Sequence, residues 1–182
     1  MTLQRLLIQQ LLHEYNQGDR NFSEMSLRGI SLVGKYLVGI DLRRCDLSNA
    51  DLSRSDLSRA NLSEANLTDA ELIDTNVSGA NLKGTNFIGA NLQTATLIGT
   101  NLTGADLRSA DLSGADLSGA NLCEVKLSGA VLRNANLTGA QLDITELAMA
   151  ECDGTILDDI KTTATCEVTT DSLQWVSWGA HS

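Results

Sequence analysis

"ADLSGADLSGANL", Ala110–Leu122, spends a leucine every fifth residue and puts a small residue two places before each one. The spacing fits neither regular element alone. A five-residue step turns an α-helix by about 140°, scattering the leucines around the axis, and along a flat strand an odd step alternates faces. The two-residue step from Ala115 to Leu117 does put both side chains on one face of a strand, so the other three residues must turn the chain. One short strand and one corner per five residues, always in the same sense, winds a solenoid with the leucines inside.

The register holds from Phe22 to Leu157 over 28 sites, 24 of them Leu and the others Phe22, Val77, Phe87 and Cys152. Of the 28 positions two residues earlier, fifteen are Ala and seven are Ser, Thr or Cys, as a tight interior corner requires. The larger exceptions Arg20, Met25, Ile30, Lys35 and Ile40 fall in the first units, with Val125 the only later one, which predicts an irregular or covered first coil. Thirteen of the fifteen glycines lie two places after the central site, the third position of a four-residue turn, where type II geometry demands φ > 0. From Arg44 to Asp74 that site holds Arg44, Asn49, Arg54, Arg59, Glu64, Asp69 and Asp74. Most of these corners are expected to avoid φ > 0 and so to differ from the type II glycine corners around Gly79 to Gly119.

Composition narrows the function. The 182 residues are 42% hydrophobic but only 3% aromatic, and the formal charge is -10 with a pI near 4.5, which opposes direct binding to nucleic acid phosphates or anionic lipid. No apolar run approaches the roughly 18 residues of a membrane span, and "MTLQRLLIQQLLHEY" does not read as a signal peptide, so the expected location is cytoplasmic. Cys45, Cys123, Cys152 and Cys166 have no CxxC spacing, and His13 and His181 are the only histidines. Free thiols are expected, with no metal, no cofactor and no catalytic residues. The abundant serines and aspartates sit at repeat-dictated sites, as do the glycosylation-like Asn-Leu-Ser/Thr triplets.

The units "ADLSR", "ANLSE", "ANLTD", "ADLSG" and "ANLTG" resemble the pentapeptide repeat family, whose consensus is A(D/N)LXX, over residues 20–159. The resemblance implies an all-β solenoid, the right-handed quadrilateral β-helix, with four pentads per coil and hence about seven coils. The Leu-dominated, uninterrupted repeat looks more like the cyanobacterial members, most of undefined role and a few implicated in regulation by protein contacts. Some other members are gyrase-binding mimics of DNA that confer quinolone resistance through an acidic rod. A rod of this length, about 34 Å, would carry roughly 20 charges if it were duplex DNA, twice the net charge here. Those members also tend to be phenylalanine-rich at the central site, where this chain has only Phe22 and Phe87. The reading is therefore a non-catalytic, rigid interaction or scaffold protein with a protein partner, and the alternative is an acidic DNA mimic that binds gyrase or a related topoisomerase.

Three regions follow: residues 1–19 as an N-terminal helical cap, residues 20–159 as the β-helix, and residues 160–182 as a C-terminal cap. Leu3, Leu6, Leu7, Ile8, Leu11, Leu12 and Tyr15 have helical spacing, with Gly18 as a stop. Beyond Asp158, Ala164, Cys166 and Val168 alternate like a strand and "SLQWVSW" follows. Ile144, Ala148, Met149 and Ile156 occupy sites that the repeat points outward, near Trp175 and Trp178 in sequence. Ile144, Met149, Ile156, Trp175 and Trp178 are thus the candidate contact surface, covered either by the chain's own tail or by a second copy in a homodimer through the C-terminal end. With four pentads per coil, residues 20 apart stack, which predicts charge pairs Arg44–Glu64, Arg54–Asp74, Asp106–Lys126, Lys126–Glu146 and Arg133–Asp153.

Overall fold

The computed structural model describes residues 3–162. Parallel β-bridges join the outward residues to those 20 positions on, from Asn21–Asp41 through Asn76–Thr96 to Asn136–Ile156, with a break at Lys126, so four five-residue units close one turn of a square coil. Each side is so short that, among the described residues, paired stretches longer than a single bridge occur only at β1 (Asn121–Leu122), β2 (Gln141–Leu142) and β3 (Lys161–Thr162), which pair in parallel in that order. Three kinds of backbone bond stack the coils: Leu27 N–H to Asp46 O (2.7 Å), Gly29 N–H to Ser48 O (2.9 Å) and Asp46 N–H to Met25 O (3.0 Å).

The core is the column of central residues. From Phe22 to Leu147 all are at most 4% exposed, and fully burying each leucine contributes roughly 1.5–3 kcal/mol. Alanines at the small site line the corners between them. Where a hydroxyl stands there, Thr145 apart, it donates to a central carbonyl, as Ser55 Oγ does to Leu52 O (2.6 Å) and Thr85 Oγ1 to Leu62 O (2.8 Å). Among the described residues no buried side-chain polar atom lacks a partner.

The corners correct the sequence expectation. Nearly all close with a hydrogen bond from the residue three past the central one, such as Ala50 N–H to Leu47 O at 3.0 Å. The residue before the donor has φ > 0 at 26 of the 28 corners, glycine or not. Arg44, Asn49, Arg54, Arg59, Glu64, Asp69 and Asp74 all have φ between 54° and 59°. The reason is that the N–H of this residue must also reach the next coil, as Arg54 N–H reaches Ile73 O (2.8 Å). The two bonds together hold the left-handed conformation against a steric cost of about 1–2 kcal/mol per residue.

The two exceptions are Ile144 and Met149, which are absent from the φ > 0 set. A β-branched residue is a poor occupant of the left-handed region. The chain there forms a single helical turn, α2 (Ile144–Leu147), whose N-cap Asp143 accepts from Thr145 N–H (2.9 Å). The ladder bends around it. Leu127 N–H bonds the Glu146 carboxylate at 3.0 Å, and Gly129 N–H reaches Met149 O, one residue further along than the pattern elsewhere.

At the other end, the helix α1 (Leu3–Asn16) lies against the first coil. Leu11 is buried in the core cluster, and Leu7, Ile8, Leu12 and Tyr15 pack on it. Gln4 Nε2 donates to Gly29 O (3.1 Å) and Tyr15 Oη to Val38 O (2.9 Å). Asp19 N–H to Glu14 O and Gly18 N–H to Tyr15 O close α1 in a Schellman motif around Gly18, at φ 104°. The first coil under α1 has regular corners, and Ile30 and Ile40 are buried in it despite their size.

Of the predicted charge pairs, Arg44–Glu64 (2.8 Å), Asp106–Lys126 (3.7 Å) and Arg133–Asp153 (4.0 Å) form. Lys126–Glu146 does not, because α2 turns the Glu146 carboxylate onto the backbone. Arg54–Asp74 does not form either; Asp74 accepts from Thr94 Oγ1 instead.

Candidate functional site

The polar side chains of the repeat serve its own backbone. In the Asp/Asn slot before each central leucine, the carboxyl or amide oxygen accepts from the residue after the leucine. Ser48 N–H (3.1 Å) and Oγ (2.7 Å) both donate to Asp46 Oδ1, and Thr68 N–H (3.2 Å) and Oγ1 (2.7 Å) to Asn66 Oδ1. This Asx turn gives the pattern (D/N)-L-(S/T) its chemical logic, a signal present in most units that the spacing of the leucines does not show. Amides also stack between coils: Asn81 Nδ2 donates to Asn61 Oδ1 (3.2 Å) and Asn101 Nδ2 to Asn81 Oδ1 (3.4 Å).

These bonds tune the carboxylates. The Ser48 hydroxyl and N–H hold Asp46 below the ordinary carboxylate value, and the Arg108 guanidinium does the same for Asp106. Cys45 occupies a small site and donates to Phe22 O (3.0 Å); burial pushes its thiol up to about 11, far from a reactive thiolate. Burial likewise raises Cys152. Among the described residues no group of three or more His, Cys, Asp or Glu is placed to hold a metal ion.

A cleft of about 220 Å³ opens at the corner of Ser23, Glu24, Arg43, Arg44, Ser63 and Glu64. Its charges satisfy one another: Arg44 bridges Glu24 (3.6 Å) and Glu64 (2.8 Å), and Arg43 is held by Asp41 (2.7 Å).

The C-terminal candidate surface comes apart in three dimensions. Ile144 is buried, at 6% exposure, because α2 rotates it into the core where a regular corner would have pointed it out. Met149 and Ile156 are exposed but lie on different sides of the coil, Met149 stacked by Gly129 and Ile156 by Asn136. Trp175 and Trp178, with Ala164, Cys166 and Val168, lie outside the described residues. The apolar surface missed by that reading is at the opposite end, where Tyr36 is 80% exposed.

The model of the family described as pentapeptide repeats matches eight copies, in overlapping segments from residues 21–59 to residues 115–147. The chain belongs to the pentapeptide repeat family. Its members fold as right-handed quadrilateral β-helices, and solved structures similar to this chain have that fold. A pentapeptide repeat protein, Rfr23, from the cyanobacterium Cyanothece 51142 shares 26% identity over 86% of this chain and 96% of its own, with a TM-score of 0.55. HetL from the cyanobacterium Nostoc, involved in heterocyst differentiation regulation, shares 27% over 83% and 92%, with a TM-score of 0.40. QnrB1, a plasmid-mediated fluoroquinolone resistance protein, shares 21% over 90% and 94% of a trypsin-treated form, with a TM-score of 0.43. No curated protein matches the chain.

Proposed function

We propose that this pentapeptide repeat protein is a non-catalytic rod of about seven coils, covered at both ends, that works by protein contact as an interaction, scaffold or regulatory protein. The observation that carries the reading is the use of the repeat's Asp, Asn, Ser and Thr side chains to brace its own corners, which leaves stiff, flat faces as its useful product. Pentapeptide repeat proteins are in general structural or interaction proteins, which agrees with this. No described helix is long and apolar enough to cross a membrane. Cross-linking in the native host followed by reconstitution with the purified candidate tests it: a stoichiometric complex is expected, and turnover of any substrate by the rod alone would overturn it.

One observation favours the DNA-mimic alternative. Residues 1–59 hold 7 of the 23 acidic and 8 of the 13 basic residues, so the negative charge is concentrated on the rest of the rod. A gyrase supercoiling assay separates the readings. Inhibition that is lost in an Asp106→Asn/Asp111→Asn/Asp116→Asn variant assigns the mimic, and no inhibition leaves the scaffold. At the C-terminal end, the partly exposed Cys152 and Leu157 and the exposed Met149 and Ile156 call for a cover, which residues 160–182 supply as a cap or a second copy supplies in a dimer. Met149→Asp with Ile156→Asp decides this: a folded monomer from a wild-type dimer assigns the dimer, and lost stability at constant mass assigns the cap.

A further inference from the structure

The outward side of the first coil departs from the repeat in one stretch, Val33–Val38. Tyr36 stands in the slot that holds Asp56, Asn76, Thr96 and Asp116 in the coils behind it, and it is 80% exposed. Val38, 38% exposed, and the half-buried Val33 occupy the corners on either side, where the next coil has serines. The end of α1 reaches this edge through the Tyr15 bond to Val38 O, so the patch is continuous with the helix.

Cations surround it. Lys35 is next to Tyr36 in the strand, and Arg54 and Arg59 stand at the two corners directly behind Gly34 and Gly39. None of the three makes an ion pair with a described carboxylate. The acids Asp56 and Asp74 keep their charge but are oriented by neutral donors: Asp56 accepts from Ser58 N–H (2.9 Å) and Asn76 Nδ2 (3.3 Å), and Asp74, behind Arg54, accepts from Thr94. On a chain of net charge -10, this side joins exposed apolar groups to three cations that form no ion pair with a described carboxylate, against the two carboxylates of Asp56 and Asp74. Tyrosine and arginine are the side chains that dominate the energetics of protein interfaces.

We propose that this side of the first coil is a docking surface for an acidic protein segment that carries an aromatic or leucine anchor. The anchor packs on Tyr36 between Val33 and Val38, and its acidic neighbours pair with Lys35, Arg54 and Arg59. The proposal rests on the reading of the chain as an interaction rod and names one working face of it.

The test is selection of a random dodecapeptide display library on the full-length protein, with Tyr36→Asn/Arg54→Gly/Arg59→Gly beside it. Each change installs a residue that the repeat itself uses at that site, and circular dichroism and melting check the fold; Tyr36→Asn alone serves if the triple variant melts early. The expected result is enrichment of peptides with several Asp or Glu around an aromatic or leucine, bound about tenfold or more weakly by the variant. Peptides that bind the variant equally well overturn this surface and leave the rod reading intact. Absence of any enriched peptide counts against both. Self-association of the wild type that the variant abolishes, seen by light scattering, assigns the face to a second copy and overturns the acidic partner.

Discussion

Gly104 sits at a corner with φ 68° and open space where a Cβ would be, so Gly104→Ala meets only the backbone cost of the left-handed region. That substitution is expected to destabilise by roughly 1–2 kcal/mol, read as a lowered melting point. The converse holds at Arg54, which has φ 59° and no ion pair with a described carboxylate: Arg54→Gly should stabilise by about 0.5–1 kcal/mol after the entropic cost of glycine. Unchanged stability in both would mean the corners bear no strain. Asp46 makes a pH prediction. Its folded value is depressed, so its contribution is complete above the unfolded value of about 3.9 and is lost as pH falls through the lower folded value. Asp46→Asn keeps an oxygen for Ser48 but not the charge, so it should be less stable than wild type at neutral pH and should lose less stability between pH about 4 and the acid limit. Parallel acid melting curves would refute it.

At the scale of elements, α2 is a four-residue turn that the fivefold pattern conceals, since Leu142 and Leu147 keep their register on either side. What betrays it is chemical: Ile144 and Met149 occupy a site filled elsewhere mainly by glycine, Asn, Asp and other unbranched residues. The Glu146 carboxylate then replaces a backbone carbonyl for Leu127 N–H. Glu146→Ala strands that buried donor and should cost roughly 1–3 kcal/mol, with faster amide exchange at Leu127, whereas Glu146→Gln retains an acceptor and should cost less. α1 was legible from its apolar spacing and Gly18, but its seat was not. The Tyr15–Val38 and Gln4–Gly29 bonds depend on the coil being there.

For the whole molecule, a solenoid is stabilised by contacts between neighbouring coils, so the cost of a cavity depends on where along the rod it is made. Leu82, with no exposed surface and a coil on each side, should cost roughly 3–5 kcal/mol when changed to Ala. The partly exposed Leu157 should cost well under half of that, since part of its side chain already meets water. Chemical denaturation of the two variants checks the ratio, and equal losses would show a rod that unfolds as one unit. Hydrogen exchange should agree, slowest through the middle coils and faster toward residues 150–162.

The sequence alone determined the solenoid, the inward leucine column and the corner once per five residues, because each of these follows from a local period repeated without interruption; the interval of 20 that brings Arg44 to Glu64 is implied by the resemblance to the pentapeptide repeat family and seen in the bridges between coils. Only the tertiary structure decided the conformation at Arg44 through Asp74. Local preference there argues against φ > 0, but hydrogen bonds to the neighbouring coil overrule it, and a bond to a residue 19 positions away has no signature in a five-residue pattern. The same is true of exposure. Ile144 and Tyr36 both occupy outward sites of the repeat, yet one is folded into the core by a broken corner and the other stands in solvent, because burial is set by what the rest of the chain brings alongside.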